Sequence, residues 1–169
     1  MTHTGLPQGI SAQSISLRLG HPDPSTLATP DFQEAVRRVM ASPEASHALA
    51  YGNEQGNVDL IDYLVGRINR EQGLALQPEN LTITAGSTHA VDMIARLYTK
   101  EGGAVIVEAP SYVDSLHVFR DHGVKLYGVP VNDDGIIASA LETLLKQLAS
   151  EGIQPDLLYT IPNFHNPTG

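Results

Sequence analysis

The 169 residues contain no cysteine and no tryptophan, and only three phenylalanines and six tyrosines. The lack of cysteine excludes disulfides, thiol nucleophiles and cysteine-built zinc sites, and it fits a reducing compartment. Basic residues are scarce. Ten Lys and Arg face 19 Asp and Glu, so 10 − 19 gives a formal charge of −9. No Lys/Arg-rich run exists, which argues against nucleic acid as a partner. No apolar run approaches the ~20 residues of a membrane span. Residues 1–20 lack a basic segment followed by an apolar one, so no secretory signal is read and the cytoplasm is the expected compartment. The phosphate loops of nucleoside-triphosphate and dinucleotide sites are missing, as is the Gly-x-Ser-x-Gly elbow of a hydrolase. The seven histidines are scattered. His117 and His122 are five apart and share no helical face, so no metal site is expected.

What is present reads as one α/β domain with an arm. A chain of this length buries roughly 68–70% of its unfolded surface, enough for one core. Residues 1–30 are rich in Pro, Gly, Ser and Thr and read as an extended arm. Thr29-Pro30-Asp31 opens a helix to about Met40, and Pro43 follows it. Asn57 caps a second helix, with Leu60, Ile61, Leu64, Val65 and Ile68 at helical spacing and Gly73 as its stop. From residue 81 onward strands and helices alternate. The strands are Leu81–Ala85, Ala104–Glu108, Val124–Val129 and Asp156–Ile161. The helices begin after Gly86, near Tyr112 and at Ala138. This β-α-β-α-β-α-β order predicts a mostly parallel sheet with helices on both faces.

Three turns stand where such a sheet presents its strand ends, the usual place for a ligand. Gly86-Ser87-Thr88 lies between a strand and a helix. Free N–H groups, two hydroxyls and the positive end of the helix dipole make it a phosphate site, or simply a capped helix start. Glu108-Ala-Pro-Ser-Tyr112 offers an aromatic face to an electron-poor ring, unless Tyr112 only packs locally. Pro162-Asn-Phe-His-Asn-Pro-Thr-Gly169 ends in a turn where Pro167 fixes φ and Gly169 permits a tight bend, so Asn166 is held at a strand mouth. Two further segments belong with these: the glycine loop Tyr51-Gly-Asn-Glu-Gln-Gly56 and the stiff Gly20-His-Pro-Asp-Pro24.

In this order the motifs resemble the fold-type I pyridoxal-phosphate (PLP) aminotransferases over roughly residues 15 to 169. The resemblance implies PLP as cofactor and amino-group transfer between an L-amino acid and a 2-oxo acid. It places Gly86, Ser87 and Thr88 at the cofactor phosphate, Tyr112 against the pyridine ring and Asn166 at the phenolic oxygen. It makes Tyr51 a contact to the partner's cofactor in a homodimer and puts Gly20 near the substrate carboxylate. Family members carry Arg where Ile61 stands. Residues 1–50 are then the arm and small-domain or dimer-contact segment, and 51–169 an incomplete PLP-binding large domain. The three lysines, Lys100, Lys125 and Lys146, lie outside the context in which the family places its cofactor-bonding lysine, so that lysine is expected beyond Gly169. The motifs look most like the branch acting on aminoadipate, aromatic or branched-chain substrates. That branch includes transcription regulators, a reading disfavoured because no winged-helix domain precedes the segment. The rival reading is a truncated, non-catalytic relative that binds a phosphate ligand or a partner.

Overall fold

The structure is a computed structural model and describes residues 22–169. The chain divides into two units, Met1–Asn53 and Glu54–Gly169. In the first, a short 3-10 turn (Pro24–Thr26) precedes helix α1 (Pro30–Ala41) and the single-turn α2 (Ala45–Ala48). The Thr29 hydroxyl oxygen accepts from the Phe32 N–H at 3.3 Å, Pro30 fills the first helical position, and Ser42 caps the end before Pro43. This is the start and stop that the sequence spells. Phe32, Val36, Val39 and Met40 follow one another along α1 at helical spacing, and all four are exposed.

The second unit opens with α3 (Val58–Gln72). Asn57 Oδ1 accepts from the Leu60 N–H at 2.9 Å, and Gly73 ends the helix in the left-handed conformation at φ 66°. Ile61 and Val65 are its buried residues. Ile61, the departure from the family's arginine, is thus a core position at 3% exposure, where an unpaired guanidinium would be costly.

The rest is a three-layer sandwich built from α4 (Ser87–Tyr98), β1 (Ala104–Ala109), α5 (Val113–Asp121), β2 (Lys125–Asn132), β3 (Gly135–Ile136), α6 (Ala138–Ser150) and β4 (Leu157–Tyr159). The sheet order is β3-β2-β1-β4. β1 is the spine. It pairs in parallel with β2 from Ala104↔Lys125 to Ala109↔Pro130, and with β4 from Val105↔Leu157 to Val107↔Tyr159. A strand paired on both edges and covered on both faces must be apolar throughout, and Ala-Val-Ile-Val is. Its side chains alternate. Val105 and Val107 join Val91, Ala95, Phe119 and Val124 beneath α4 and α5, whereas Ile106 joins Val129 and Leu148 beneath α6.

One expectation needs correction. Leu81–Ala85 is not a strand. Extended residues become a strand only with a ladder, and this stretch makes a single backbone bond to another segment, from the Ile83 N–H to the Gln55 carbonyl at 2.9 Å. The Gln55 amide supports it from the side, donating to the carbonyls of Pro78 and Leu81 at 2.6 Å each. The turn expected at Asn132–Gly135 also does more than connect. It closes an antiparallel hairpin, β2–β3, through Val131↔Ile136 and Asn132↔Gly135.

Candidate functional site

Parallel strands all point one way, so the loops leaving them emerge at one end of the sheet. Tyr112 comes three residues after the end of β1, and Asn166 comes after β4, the strand beside it. Gly86 reaches the same end by a different route. Helix α4 spans about 18 Å at ~1.5 Å per residue, and β1 spans about 20 Å at ~3.3 Å per residue. The short link at 99–103 joins the helix's C-terminus to the strand's start. α4 therefore runs back along β1, with its N-terminus toward the end at which β1 finishes. The connectivity thus sends the loops carrying Tyr112 and Asn166 out of one end of the sheet, and α4 runs back toward that end.

The helix start is open to an anion. Gly86 is its N-cap at φ 92°, ψ 170°, a conformation essentially confined to glycine, and no side chain caps the first turn. Ser87 and Thr88 are exposed. Neighbouring polar groups point elsewhere: the Thr84 hydroxyl donates to the Gly86 carbonyl at 3.1 Å, and His89 Nδ1 accepts from the Ala85 N–H at 3.1 Å. The N–H groups and hydroxyls of Ser87 and Thr88 and the dipole's positive end are left facing outward.

Tyr112 is half-buried at the start of α5, and its hydroxyl donates to Asp114 Oδ2 at 2.6 Å. That carboxylate, by taking the phenol's hydrogen bond, holds Tyr112 above its ordinary pKa. The same bond orients the phenol. Asn166 is exposed in the terminal turn, which the Gly169 N–H closes onto the His165 carbonyl at 2.6 Å.

Tyr51 belongs to the first unit and is fully exposed. Gly20 lies outside the described residues. The glycine of the Tyr51 loop has a local explanation: Gly56 sits at φ 120°, and a Cβ there would stand 2.7 Å from Ile83 Cβ. The three lysines are exposed. Lys125 begins β2 and Lys100 precedes β1, both at the sheet's opposite end, while Lys146 pairs with Glu142 on α6.

Glu108 and His165 carry a role that motif reading missed. Glu108 is the penultimate residue of β1 and is 3% exposed. Its carboxylate accepts from the Thr160 hydroxyl at 2.6 Å and the Ile161 N–H at 2.9 Å, and meets His165 Nε2 at 3.0 Å. The available signal was a charged residue completing an otherwise apolar central strand, which must be paired if buried. A cleft of about 660 Å³ adjoins this pair, lined by the β2–β3 hairpin and by Thr160, Ile161 and Phe164. Asp133 and Asp134 line it, and no Lys or Arg is among its described lining residues. Such a cleft repels phosphate, so the α4 N-terminus is the better anion seat.

Comparison with known proteins gives the family and the fold. The model of the family "Aminotransferase class I and II" matches residues 14–169. Aromatic-amino-acid aminotransferase 1 of Thermococcus litoralis is 32% identical over 155 residues, 92% of this chain and 37% of that protein. The structure of LysN, the alpha-aminoadipate aminotransferase of Thermus thermophilus complexed with N-(5'-phosphopyridoxyl)-L-leucine, superposes with a TM-score of 0.71 at 33% identity, over 83% of this chain and 33% of that one. The multiple substrate aminotransferase of Thermococcus profundus gives 0.84 at 28% identity, over 93% and 39%. The chain thus spans between a third and two-fifths of the length of these three relatives.

Proposed function

The chain belongs to the class I and II aminotransferase family, and we propose that the complete protein of which it is part transfers an amino group between an L-amino acid and a 2-oxo acid, using PLP held at the mouth of this sheet. The observation that carries the proposal is the uncapped start of α4 behind a glycine-only turn. The donor set fits the cofactor. Two N–H groups and two hydroxyls at a helix N-terminus suit a phosphate dianion, a half-buried phenol offers a ring face, and a carboxamide offers a donor for an anionic oxygen.

Bound there, PLP would supply the electron sink that makes the α-proton of an amino acid acidic. The chain's own residues would bind and orient. Ser87 and Thr88 would anchor the phosphate, with Gly86 letting the backbone approach. Tyr112 would offer its ring face to the cofactor ring. The Asn166 amide would donate to the phenolic oxygen and favour its anionic form. None of the three lysines is at this mouth, so the amine that bonds the cofactor comes from another part of the protein. We assign residues 1–50 to the arm and small-domain or dimer contact and 51–169 to the cofactor-binding domain, with Tyr51 serving the neighbouring site of a homodimer. Substrates of the aromatic or aminoadipate class are the finer proposal, supported by the relatives' names.

The test is PLP binding and amino transfer by the complete protein, with Ser87→Ala/Thr88→Ala beside it. Loss of two hydrogen bonds to a charged group, each ~1.5–3 kcal/mol, predicts at least a hundredfold weaker PLP retention. Unchanged retention would refute the anchor.

A further inference from the structure

We propose that Glu108 and His165 are a positioning pair for Asn166, locking the turn that presents its carboxamide; the inference rests on the reading of Asn166 given above. The β1–β4 ladder stops at Val107↔Tyr159. The next residue of β1 is Glu108, and from there a side chain does what the ladder did. The Ile161 N–H, which a longer β4 would give to a backbone carbonyl, goes to Glu108 Oε2 at 2.9 Å, and the Thr160 hydroxyl goes to Oε1 at 2.6 Å. The third group on this carboxylate is the His165 ring, 57 residues further along the chain and next to Asn166.

His165 is tethered at three points. Nε2 meets Glu108 Oε2 at 3.0 Å, Nδ1 meets Thr168 Oγ1 at 2.7 Å, and its carbonyl takes the Gly169 N–H at 2.6 Å. The proton can be placed from these partners. A carboxylate only accepts, so Nε2 carries the hydrogen. The Thr168 N–H, which only donates, faces Nδ1 at 3.4 Å, so Nδ1 is the acceptor and the Thr168 hydroxyl donates to it. The ring therefore reads two elements at once, β1 through Nε2 and the Asn-Pro-Thr-Gly turn through Nδ1. Its side chain is 11% exposed and that of Glu108 3%, so water competes poorly for either contact. Asn166 stands between the two anchored residues His165 and Thr168. Among the described residues its own side chain has no partner to hold it. Its aim is set by the neighbours.

The carboxylate, hydroxyl and imidazole have the atom order of a nucleophile relay, but Thr168 is three residues from His165 within one turn, and its N–H shares the same ring nitrogen. The arrangement locks a turn and presents no nucleophile.

The test uses the complete PLP-loaded protein and the pH titration of the bound cofactor's visible absorption. Asn166→Ala is the reference. Losing one hydrogen bond to an anion should raise the apparent pKa of the bound cofactor by about one to two units. If it does not, the reading of Asn166 fails and takes the pairing with it. With that shift in place, His165→Ala and Thr168→Val should each move the titration the same way by a smaller amount. His165→Gln, whose amide can still donate to Glu108, should largely restore it. In an Asn166→Ala background, His165→Ala should add nothing. A fold-wide role would instead lower the melting temperature and leave the titration unmoved. An unmoved titration in both His165→Ala and Thr168→Val, or an undiminished His165→Ala shift in the Asn166→Ala background, would overturn the proposal. Independently of the cofactor, ¹⁵N NMR should find His165 as the Nε2–H tautomer, and Glu108→Gln should abolish the slow exchange of that proton. A ring protonated on Nδ1 alone would also overturn it.

Discussion

Replacing Gly86 with alanine separates conformation from space at the proposed phosphate anchor. An added Cβ meets nothing within 4 Å, so no clash is created. The cost is the backbone alone. At φ 92°, ψ 170° a residue with a side chain carries strain on the order of 1–3 kcal/mol. The protein has two ways to absorb it. If the turn keeps its shape, global stability falls by that amount. If the turn relaxes, the N–H groups of Ser87 and Thr88 swing off their common target and the same energy is lost from binding, about 5- to 150-fold in PLP affinity at ~1.4 kcal/mol per decade. Relaxation is the easier course, because the turn is exposed and no side chain caps it. The expected result for Gly86→Ala in the complete protein is weakened PLP binding with a small change in melting temperature. Gly152→Ala is the control. It too has positive φ, 71°, and open space around a Cβ, but it follows α6 away from the mouth. It should cost ~1–2 kcal/mol of stability and leave PLP affinity alone. Wild-type affinity and stability in Gly86→Ala would refute the reasoning, and so would equal losses of affinity in both variants.

Other outcomes follow from the same structure. Phe119 is 1% exposed and meets Tyr159 edge-on at 5.6 Å between ring centroids, so Phe119→Ala should cost ~3–5 kcal/mol in denaturant unfolding. At Tyr112 the ring and not the hydroxyl should matter for the cofactor: Tyr112→Phe should keep PLP affinity within about twofold, while Tyr112→Ala loses stacking worth ~0.5–1.5 kcal/mol, measured by cofactor titration. Asp92 is held below its ordinary 3.8 by the hydrogen bond from His122 Nε2, with Arg96 adding to it. A depressed carboxyl stabilises the fold above its unfolded pKa and stops doing so as pH falls through the folded value. The stability advantage of the wild type over Asp92→Asn should therefore be full above about pH 4 and fade as pH falls from there through the lower folded-state value, read as the difference of melting temperatures across an acid series.

The core was legible because its pattern is local. Ala104–Val107 is apolar at every position, and only a strand covered on both faces needs that. The helix starts at Thr29 and Asn57 were legible for the same reason, since each cap bonds within its own turn. Leu81–Ala85 misled because its strand-like composition says nothing about whether a neighbouring strand supplies a ladder. The β2–β3 hairpin was hidden by its length, two residues of β3 being too few for a period. That the loops of Tyr112 and Asn166 leave one end of the sheet followed from strand order. The Glu108–His165 contact did not, because it joins residues 57 apart and depends on where β4 stops.

The most direct test of the account is to locate the cofactor phosphate in a crystal structure of the complete protein grown with PLP. The account predicts the phosphate within hydrogen-bonding distance of the Ser87 and Thr88 N–H groups and hydroxyls, the ring against Tyr112, and its phenolic oxygen at the Asn166 amide. A phosphate seated instead in the cleft beside Asp133 and Asp134, or a ring remote from both Tyr112 and Asn166, would contradict it.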